Sequence, residues 1–193
     1  MFSSRRRLYA RRAVLSAAMG LILAGTAAAP AHSESVRDQQ WFLDAMKAEQ
    51  MWRTSTGKGV TVAVIDTGVN SDHPDLVGRV LPGKDMATTE RGDERTDYDG
   101  HGTRMAGFIA GTGTRAGGHG AFGLAPGAKV LPVRLPRVEK IDPAVADEVF
   151  ARAMATAIRY ATDQGAEVIN TGFGRGPAAQ PVRDSLLPGV KLT

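Results

Sequence analysis

Two short motifs contain the residues of this chain that are best suited to chemistry: Asp66-Thr67-Gly68 and His101-Gly102-Thr103. The aspartate follows an apolar run that predicts a buried strand, and the histidine opens a segment that predicts a helix. In a Ser-His-Asp relay, the acid orients the histidine, which takes a proton from the serine and passes it to the leaving amine. We therefore expect Asp66 and His101 to be the acid and the base of a catalytic site.

The strand before the aspartate indicates where that site lies. The run Val60-Thr61-Val62-Ala63-Val64-Ile65 is mainly apolar on both of its alternating faces, which is typical of a covered strand in a parallel sheet. Active sites of α/β sheets lie at the carboxyl ends of strands, so Asp66 has the expected place. The alternative is that this aspartate only caps a loop or a helix. Gly100, Gly102 and Gly107 favour catalysis, because they let the backbone approach a reacting centre.

The rest of the chain predicts the elements that must position this pair. Hydrophobic spacing predicts a short amphipathic helix over 41–52, a helix over 102–110, a strand over 129–134, a long helix over 142–164 and a strand over 167–170. Asp142-Pro143 is a typical helix start, and Gly165 is a typical stop. Residues 67–100 predict an irregular excursion, acidic in its second half. Strands and helices in alternation predict an α/β domain with a parallel sheet.

The first 31 residues predict a secretory signal peptide. They contain five arginines and no acidic residue, then an apolar stretch and Ala29-Pro30-Ala31, after which we expect cleavage. An uncleaved anchor is the alternative, but the apolar stretch of 17 residues is short for a membrane span of about 20. Without this leader the net charge falls from +4 to −1, so nothing favours nucleic-acid binding. We expect a secreted or cell-envelope protein that meets the membrane only through its signal peptide.

Five segments, in order along the chain, resemble the subtilisin-type serine proteases, or subtilases: residues 62–69, 73–76, 99–107, 123–128 and 168–174. The resemblance implies a three-layer α/β fold with a mostly parallel sheet, of which this chain has roughly the first half. It implies hydrolysis of peptide bonds in a polypeptide substrate, with Asp66 as the triad acid and His101 as the general base. It also implies that Gly172, Phe173 and Gly174 pair with an extended substrate backbone by strand addition.

Two features of the family are not found in residues 1–193: the Gly-Thr-Ser-type segment that carries the nucleophile, and an asparagine that donates to the oxyanion. Ser185 lacks the glycine setting and is not expected to replace the nucleophile. We therefore expect a signal peptide over 1–31, a lead-in over 32–59, a partial catalytic domain over 60–174 and an irregular tail over 175–193. That tail is either a surface loop or foreign to the fold.

Because the nucleophile and the oxyanion asparagine are not found in residues 1–193, we expect this chain to be an incomplete copy of a protease that is inactive when alone. The alternative is a non-catalytic exported remnant that binds peptides.

The short segment before the first strand indicates which subfamily of subtilases the chain resembles. Only 34 residues separate Ala31 from Asp66, which is too few for a folded propeptide domain. This spacing and the run Trp41-Phe42-Leu43 resemble the mycosin-type subtilases, which accompany type VII secretion. The resemblance implies a link between this chain and a type VII secretion machinery.

No cofactor is expected, although calcium is an alternative. The acidic residues between Asp85 and Asp99 resemble the clustered oxygen ligands that calcium prefers, but we expect them to form a solvated loop. A metal site made of Asp66, His73 and His101 is a weaker alternative, because the spacing of these residues is not compact. We expect His73 to pack a loop and His119 to be solvated. The chain contains no cysteine, so no disulfide can form.

Overall fold

In residues 35–172, which the computed structural model describes apart from the side chains of Ala116 and Val138, four strands form one parallel sheet. They are β1 (Thr61–Asp66), β2 (Lys84–Asp85), β3 (Lys129–Arg134) and β4 (Val168–Thr171), in the order β2-β3-β1-β4. The helices are α1 (Trp41–Ala45), α2 (Ala48–Trp52), α3 (His101–Ala110) and α4 (Ala146–Asp163), with 3₁₀ turns at Arg115–Gly117 and Val138–Lys140. The predicted α/β class and parallel sheet are confirmed.

The sheet lies between two helices, because successive residues of a strand point to opposite faces. On one face, Val64 of β1 packs with Ala106 and Ala110 of α3. On the other face, the next residue, Ile65, packs with Met154 and Ala157 of α4. β1 is therefore covered on both sides, as its apolar faces predicted, and it lies between β3 and β4 in the sheet. Helix α3, which begins at His101, is held directly against the strand that ends at Asp66.

Helix α4 begins later than its sequence predicted. Asp142 does not cap the helix: its Oδ1 accepts the N–H of Ala144 at 2.9 Å and closes a turn that precedes Ala146. The other end agrees with the prediction, because the helix ends at Asp163 and Gly165 has a positive φ of 75°. Among the residues that the structure describes, no helix is long and apolar enough to cross a membrane.

The prediction of one helix over 41–52 is wrong. Lys47 has a left-handed φ of 55° and separates α1 from α2. Leu43 and Ala48 are both buried, yet residues five apart lie about 140° from each other around a continuous helix. The break at Lys47 lets both side chains reach the core.

The excursion over 67–100 is less irregular than predicted. It contains β2, a strand of two residues that pairs with the end of β3, and Val80 forms an isolated bridge with Val130. A strand this short has no periodicity that a sequence could reveal. The pairing keeps the excursion beside the carboxyl end of the sheet.

Candidate active site

Asp66 and His101 meet at the carboxyl end of β1. Asp66 is the last residue of the strand and is fully buried, and His101 is the first residue of α3. Nδ1 of His101 lies 2.9 Å from each carboxylate oxygen of Asp66. Because a carboxylate can only accept, Nδ1 carries the proton and Nε2 is the free acceptor of the neutral ring. The side chain of His101 is 37% exposed, so the ring has access to a ligand that its buried partner lacks.

The Asp66 carboxylate is fixed in one orientation. Its Oδ1 also accepts the backbone N–H of Thr67 at 2.7 Å. Its backbone carbonyl accepts the N–H of Leu135 at 2.8 Å, which continues the pairing between β1 and β3. The carboxylate therefore presents both oxygens to the imidazole without freedom to rotate away.

Gly172 lies against this pair at the end of β4. Its N–H donates to the carbonyl of Ile65 at 3.2 Å. A Cβ at this position would overlap the Asp66 carboxylate and would come within 3.0 Å of Cε1 of His101. Any other residue would therefore displace the pair. Phe173 and Gly174, the other two predicted substrate-binding residues, lie outside the described residues.

A second set of hydrogen bonds joins the same two elements through Asp97. The Thr67 hydroxyl donates to Asp97 Oδ1 at 2.7 Å and accepts the N–H of Gly102 at 3.0 Å. Asp97 Oδ2 accepts the N–H of Thr103 at 2.8 Å and its hydroxyl at 2.5 Å. Asp97 Oδ1 also accepts the N–H of Gly100 at 2.9 Å. Two of the bonded residues, Thr67 and Gly102, directly follow Asp66 and His101 in the chain.

Burial alone would raise the pKa of the Asp97 carboxyl. Hydrogen bonds from Thr103 and Thr67, together with the backbone N–H of Gly100, outweigh that effect and hold the pKa below its usual value. Sequence reasoning placed Asp97 only in an acidic run. Asp97 lies four residues before α3, whose N-cap position is Gly100, so no local capping pattern distinguishes it in the sequence.

The middle of the excursion is held by a buried arginine. Arg134, at the end of β3, is fully buried, and its Nε forms an ion pair with Asp85 Oδ1 at 3.4 Å. Its two terminal nitrogens donate to the carbonyls of Asp93 and Arg91, at 2.9 and 3.1 Å. The acidic run is therefore tied to the sheet and is not a freely solvated loop.

A second arginine binds the same run. Arg137 forms an ion pair with Glu90 at 2.6 Å, and its guanidinium lies 4.7 Å from the ring centre of Tyr98. Burial, followed by the negative charge of Glu139, raises the pKa of the Tyr98 hydroxyl above its usual range. Tyr98 therefore stays neutral at any ordinary pH.

Two metal sites were considered from the sequence, a calcium site in the acidic run and a site made of Asp66, His73 and His101. In residues 35–172, no cluster of three or more His, Cys, Asp or Glu side chains is arranged to hold a metal ion. His73 makes a local contact, in which its Nδ1 accepts the N–H of Asp75 at 3.3 Å, and His119 is exposed. Asp75 is itself buried and binds the backbone N–H groups of Arg115 and Ala121.

Comparison with known proteins identifies the family. The sequence profile of the subtilase family matches residues 57–186. The chain belongs to the subtilase family. Among its relatives, fervidolysin from Fervidobacterium pennivorans is 37% identical over 150 residues, which cover 74% of this subtilase chain and 20% of fervidolysin. Mycosin-3 from Mycobacterium tuberculosis is 41% identical over 128 residues, which cover 62% of this chain and 26% of mycosin-3.

Solved structures agree on the fold. A structure described as the serine protease MycP1, an essential component of the type VII (ESX-1) secretion system, is 34% identical to the subtilase chain. The match has a TM-score of 0.59 and covers 73% of this chain and 39% of MycP1. The expected subtilisin-like α/β fold is confirmed. The chain spans between 20% and 45% of the length of the first curated relatives that it matches.

Proposed function

We propose that this subtilase chain supplies the acid and the base of an endopeptidase that acts through an Asp-His-Ser triad. The observation that carries the proposal is the contact of 2.9 Å between His101 Nδ1 and a carboxylate that is fully buried. Asp66 orients the ring and stabilises the imidazolium. Nε2 of His101 takes the proton of the serine and then gives it to the leaving amine. Peptide hydrolysis through an acyl-enzyme follows.

The nucleophile in this proposal comes from chain outside residues 1–193. Ser185 is the serine nearest to the end of the sequence, and it stands in Arg183-Asp184-Ser185-Leu186, without neighbouring glycines. Loss of the nucleophile from such a triad costs about 10⁶ in turnover. Residues 1–193 alone are then inactive, although their acid and base are already in contact.

Substrate binding in the proposal uses the end of β4. Gly172, Phe173 and Gly174 pair with an extended polypeptide backbone by strand addition. The position of Gly172 against His101 supports this, because a backbone paired there would pass the catalytic base. β4 is also at the edge of the sheet formed by the described strands, with β1 as its partner on one side.

The remaining assignments concern export and partners. We assign a signal peptide to residues 1–31, a lead-in to 32–59, the partial catalytic domain to 60–174 and a tail to 175–193, with a site of action in the cell envelope or outside the cell. The family match over 57–186 supports a catalytic domain in this part of the chain. The likeness to MycP1, which is described as an essential component of a type VII secretion system, supports a partner in type VII secretion. Fusion of residues 1–40 to a reporter that is active only after export tests the leader.

The decisive experiment reads the gene past codon 170 in all three frames and expresses the longest product that contains a Gly-Thr-Ser segment. We expect this product to hydrolyse casein and to react with a fluorophosphonate probe, and we expect both signals to be lost in its His101→Ala variant. The 193-residue chain should give neither signal. Labelling of the 193-residue chain that disappears in Ser185→Ala would contradict the origin of the nucleophile. Proteolysis that survives His101→Ala would contradict the whole proposal.

A peptide-binding remnant is the second candidate, and the edge position of β4 favours it. It predicts that the 193-residue chain binds extended peptides without cleaving them. Chemical-shift changes confined to β4 and Gly172, on titration with a peptide library, would support it. The absence of a Gly-Thr-Ser segment in every reading frame would leave it as the better candidate.

A further inference from the structure

We propose that Asp97 is a positioning residue for the pair of Asp66 and His101. This inference rests on the proposed function, because it concerns the acid and the base of the same catalytic site. The pair belongs to two separate elements, since Asp66 ends β1 and His101 begins α3. Their contact therefore depends on how accurately the end of the strand and the start of the helix are held together.

The bond to the strand is made through Thr67, which directly follows the acid. Thr67 is buried, and its hydroxyl is used in both directions, donating to Asp97 and accepting from Gly102. Gly102 directly follows His101. The residue after the acid is thus joined both to Asp97 and to the residue after the base, in parallel with the contact of the two catalytic side chains.

The bonds to the helix fix its first turn. Asp97 accepts the N–H groups of Gly100 and Thr103, which lie on either side of His101, and also the Thr103 hydroxyl. The first N–H groups of a helix have no partner inside the helix, and a carboxylate satisfies them well. Because Asp97 binds residues before and after His101, it sets both the position and the tilt of this turn.

Asp97 is itself held in place by the sheet. The loop before it is tied to β3 by the buried guanidinium of Arg134, which binds the carbonyls of Arg91 and Asp93. Thr96 closes a turn with Asp93, through a backbone bond of 3.0 Å. The Asp97 carboxylate therefore belongs to a segment that is fixed to the sheet. A fixed carboxylate can in turn position the side chain of His101.

The test follows the proton on Nδ1 of His101 by NMR in the 193-residue chain with ¹⁵N-labelled histidine, assigned by its loss in His101→Gln. In Asp97→Asn, an amide faces the donors with one accepting and one donating group, so about half of these bonds are lost. We expect the Nδ1 proton to exchange faster with water, so that its resonance broadens. The far-ultraviolet circular dichroism spectrum should stay unchanged, which would show that the secondary structure is kept. A resonance that keeps its shift and its exchange rate in Asp97→Asn would overturn the proposal.

A milder pair of variants serves if Asp97→Asn unfolds. Thr67→Val removes the hydroxyl while keeping the shape of the side chain, and Thr67→Ser restores it. Faster exchange of the Nδ1 proton in Thr67→Val and recovery in Thr67→Ser would support positioning. Equal exchange in the two variants would overturn it. Asp72→Asn, a loss of charge at an exposed residue of the same excursion, is the matched control and should leave the resonance unchanged.

The same variants, made in the longer gene product that contains the Gly-Thr-Ser segment, separate the two proposals. Asp97→Asn should lower kcat about 10- to 100-fold, as expected for a small misplacement of the base, with little change in KM. If His101→Ala leaves proteolysis intact, the proposed function fails, while the NMR result still decides whether Asp97 positions the pair. An unchanged kcat in Asp97→Asn, with the His101→Ala product inactive, would overturn the inference alone.

Discussion

Two neighbouring strands of the sheet end in a fully buried charge, and the two charges have different surroundings. Asp66 ends β1, Arg134 ends β3, and the two residues are register partners in the parallel sheet. Asp66 accepts the backbone N–H of Thr67 and faces the imidazole of His101, whose side chain is 37% exposed. The partners of Arg134 are two backbone carbonyls and Asp85, whose side chain is 19% exposed.

Under the proposed function, Asp66 is a buried charge that takes part in catalysis, whereas Arg134 is a buried charge that holds the fold. A buried charge is costly unless it is paired and hydrogen-bonded. Asp66 meets both conditions, and so do the terminal nitrogens of Arg134, whereas its buried Nε has the ion pair with Asp85 but no hydrogen bond. His101 can gain or lose a proton while in contact with a ligand, whereas the carbonyls that bind Arg134 cannot change state. We therefore expect substitution at Asp66 to lower activity and substitution at Arg134 to lower stability.

The largest effect is expected for Asp66→Asn. The amide no longer holds the histidine in the tautomer with a proton on Nδ1, and in a comparable triad this costs about 10⁴ in turnover. The rate of casein hydrolysis by the product that contains the nucleophile measures the effect. Asp72→Asn, at an exposed aspartate of the same excursion, is the control and should keep full activity. A loss smaller than about tenfold in Asp66→Asn would remove the distinction drawn between the two strand ends.

Arg134→Met tests the other strand end. It leaves Asp85 without its cation and two carbonyls without donors, which we expect to lower the free energy of unfolding by about 3 kcal/mol. Urea denaturation of the 193-residue chain measures this difference. Arg152→Met is the matched control, since Arg152 pairs with Glu148 on the exposed surface of α4 and should change stability by less than about 0.5 kcal/mol. Equal losses in the two variants would show that the buried arginine has no special structural role.

Two glycines differ in the space that surrounds their α-carbons. Gly172→Ala places a methyl group on the Asp66 carboxylate and should cost about 1–3 kcal/mol of stability, because the strand must shift. Gly107, inside α3, has open space where a Cβ would be, so Gly107→Ala should stabilise the chain by about 0.5–1 kcal/mol. Thermal unfolding of both variants is the measurement. A neutral Gly172→Ala would mean that β4 does not pack tightly against the pair.

The elements with strong periodicity were predictable from sequence. The strand over 129–134 was predicted with its observed bounds, and β1 and α3 each differ from their predictions by one residue. Asp66 and His101 were selected as a candidate pair because each belongs to a compact motif that contains its own glycine, and the structure brings the two side chains into contact. In these segments local residue pattern and tertiary packing favour the same structure.

The parts that could not be predicted depend on partners that are distant in sequence. Arg134 looks like an ordinary charged residue at a strand end, and its role comes from carbonyls more than 40 positions earlier. Asp97 was one of several acidic residues, and only the fold distinguishes it by bringing Thr67 and Thr103 to it. The turn at Lys47 arises because two buried side chains must face the same core. Composition carries no information about such pairings.

Acidification gives the smallest expected difference, and it links the two regions. Burial would raise the pKa of both Asp97 and Glu90, but hydroxyl and amide donors at Asp97, and Arg137 at Glu90, hold both pKa values below their usual range. The folded state then binds fewer protons than the unfolded state. The resulting stability is complete above the unfolded pKa, about 4, and is lost as pH falls through the folded value.

Urea denaturation of the 193-residue chain at about pH 6 and about pH 3 should reveal this loss, and the loss should be smaller in Asp97→Asn and in Glu90→Gln than in the unaltered chain. Asp142→Asn is a control, because Asp142 accepts a single N–H at an exposed turn before α4. An equal loss in Asp97→Asn and the unaltered chain would mean that the carboxylate behind the active pair contributes no acid-sensitive stability. The segment that holds His101 would then be set by packing, and the arginine-bound half of the excursion alone would respond to pH.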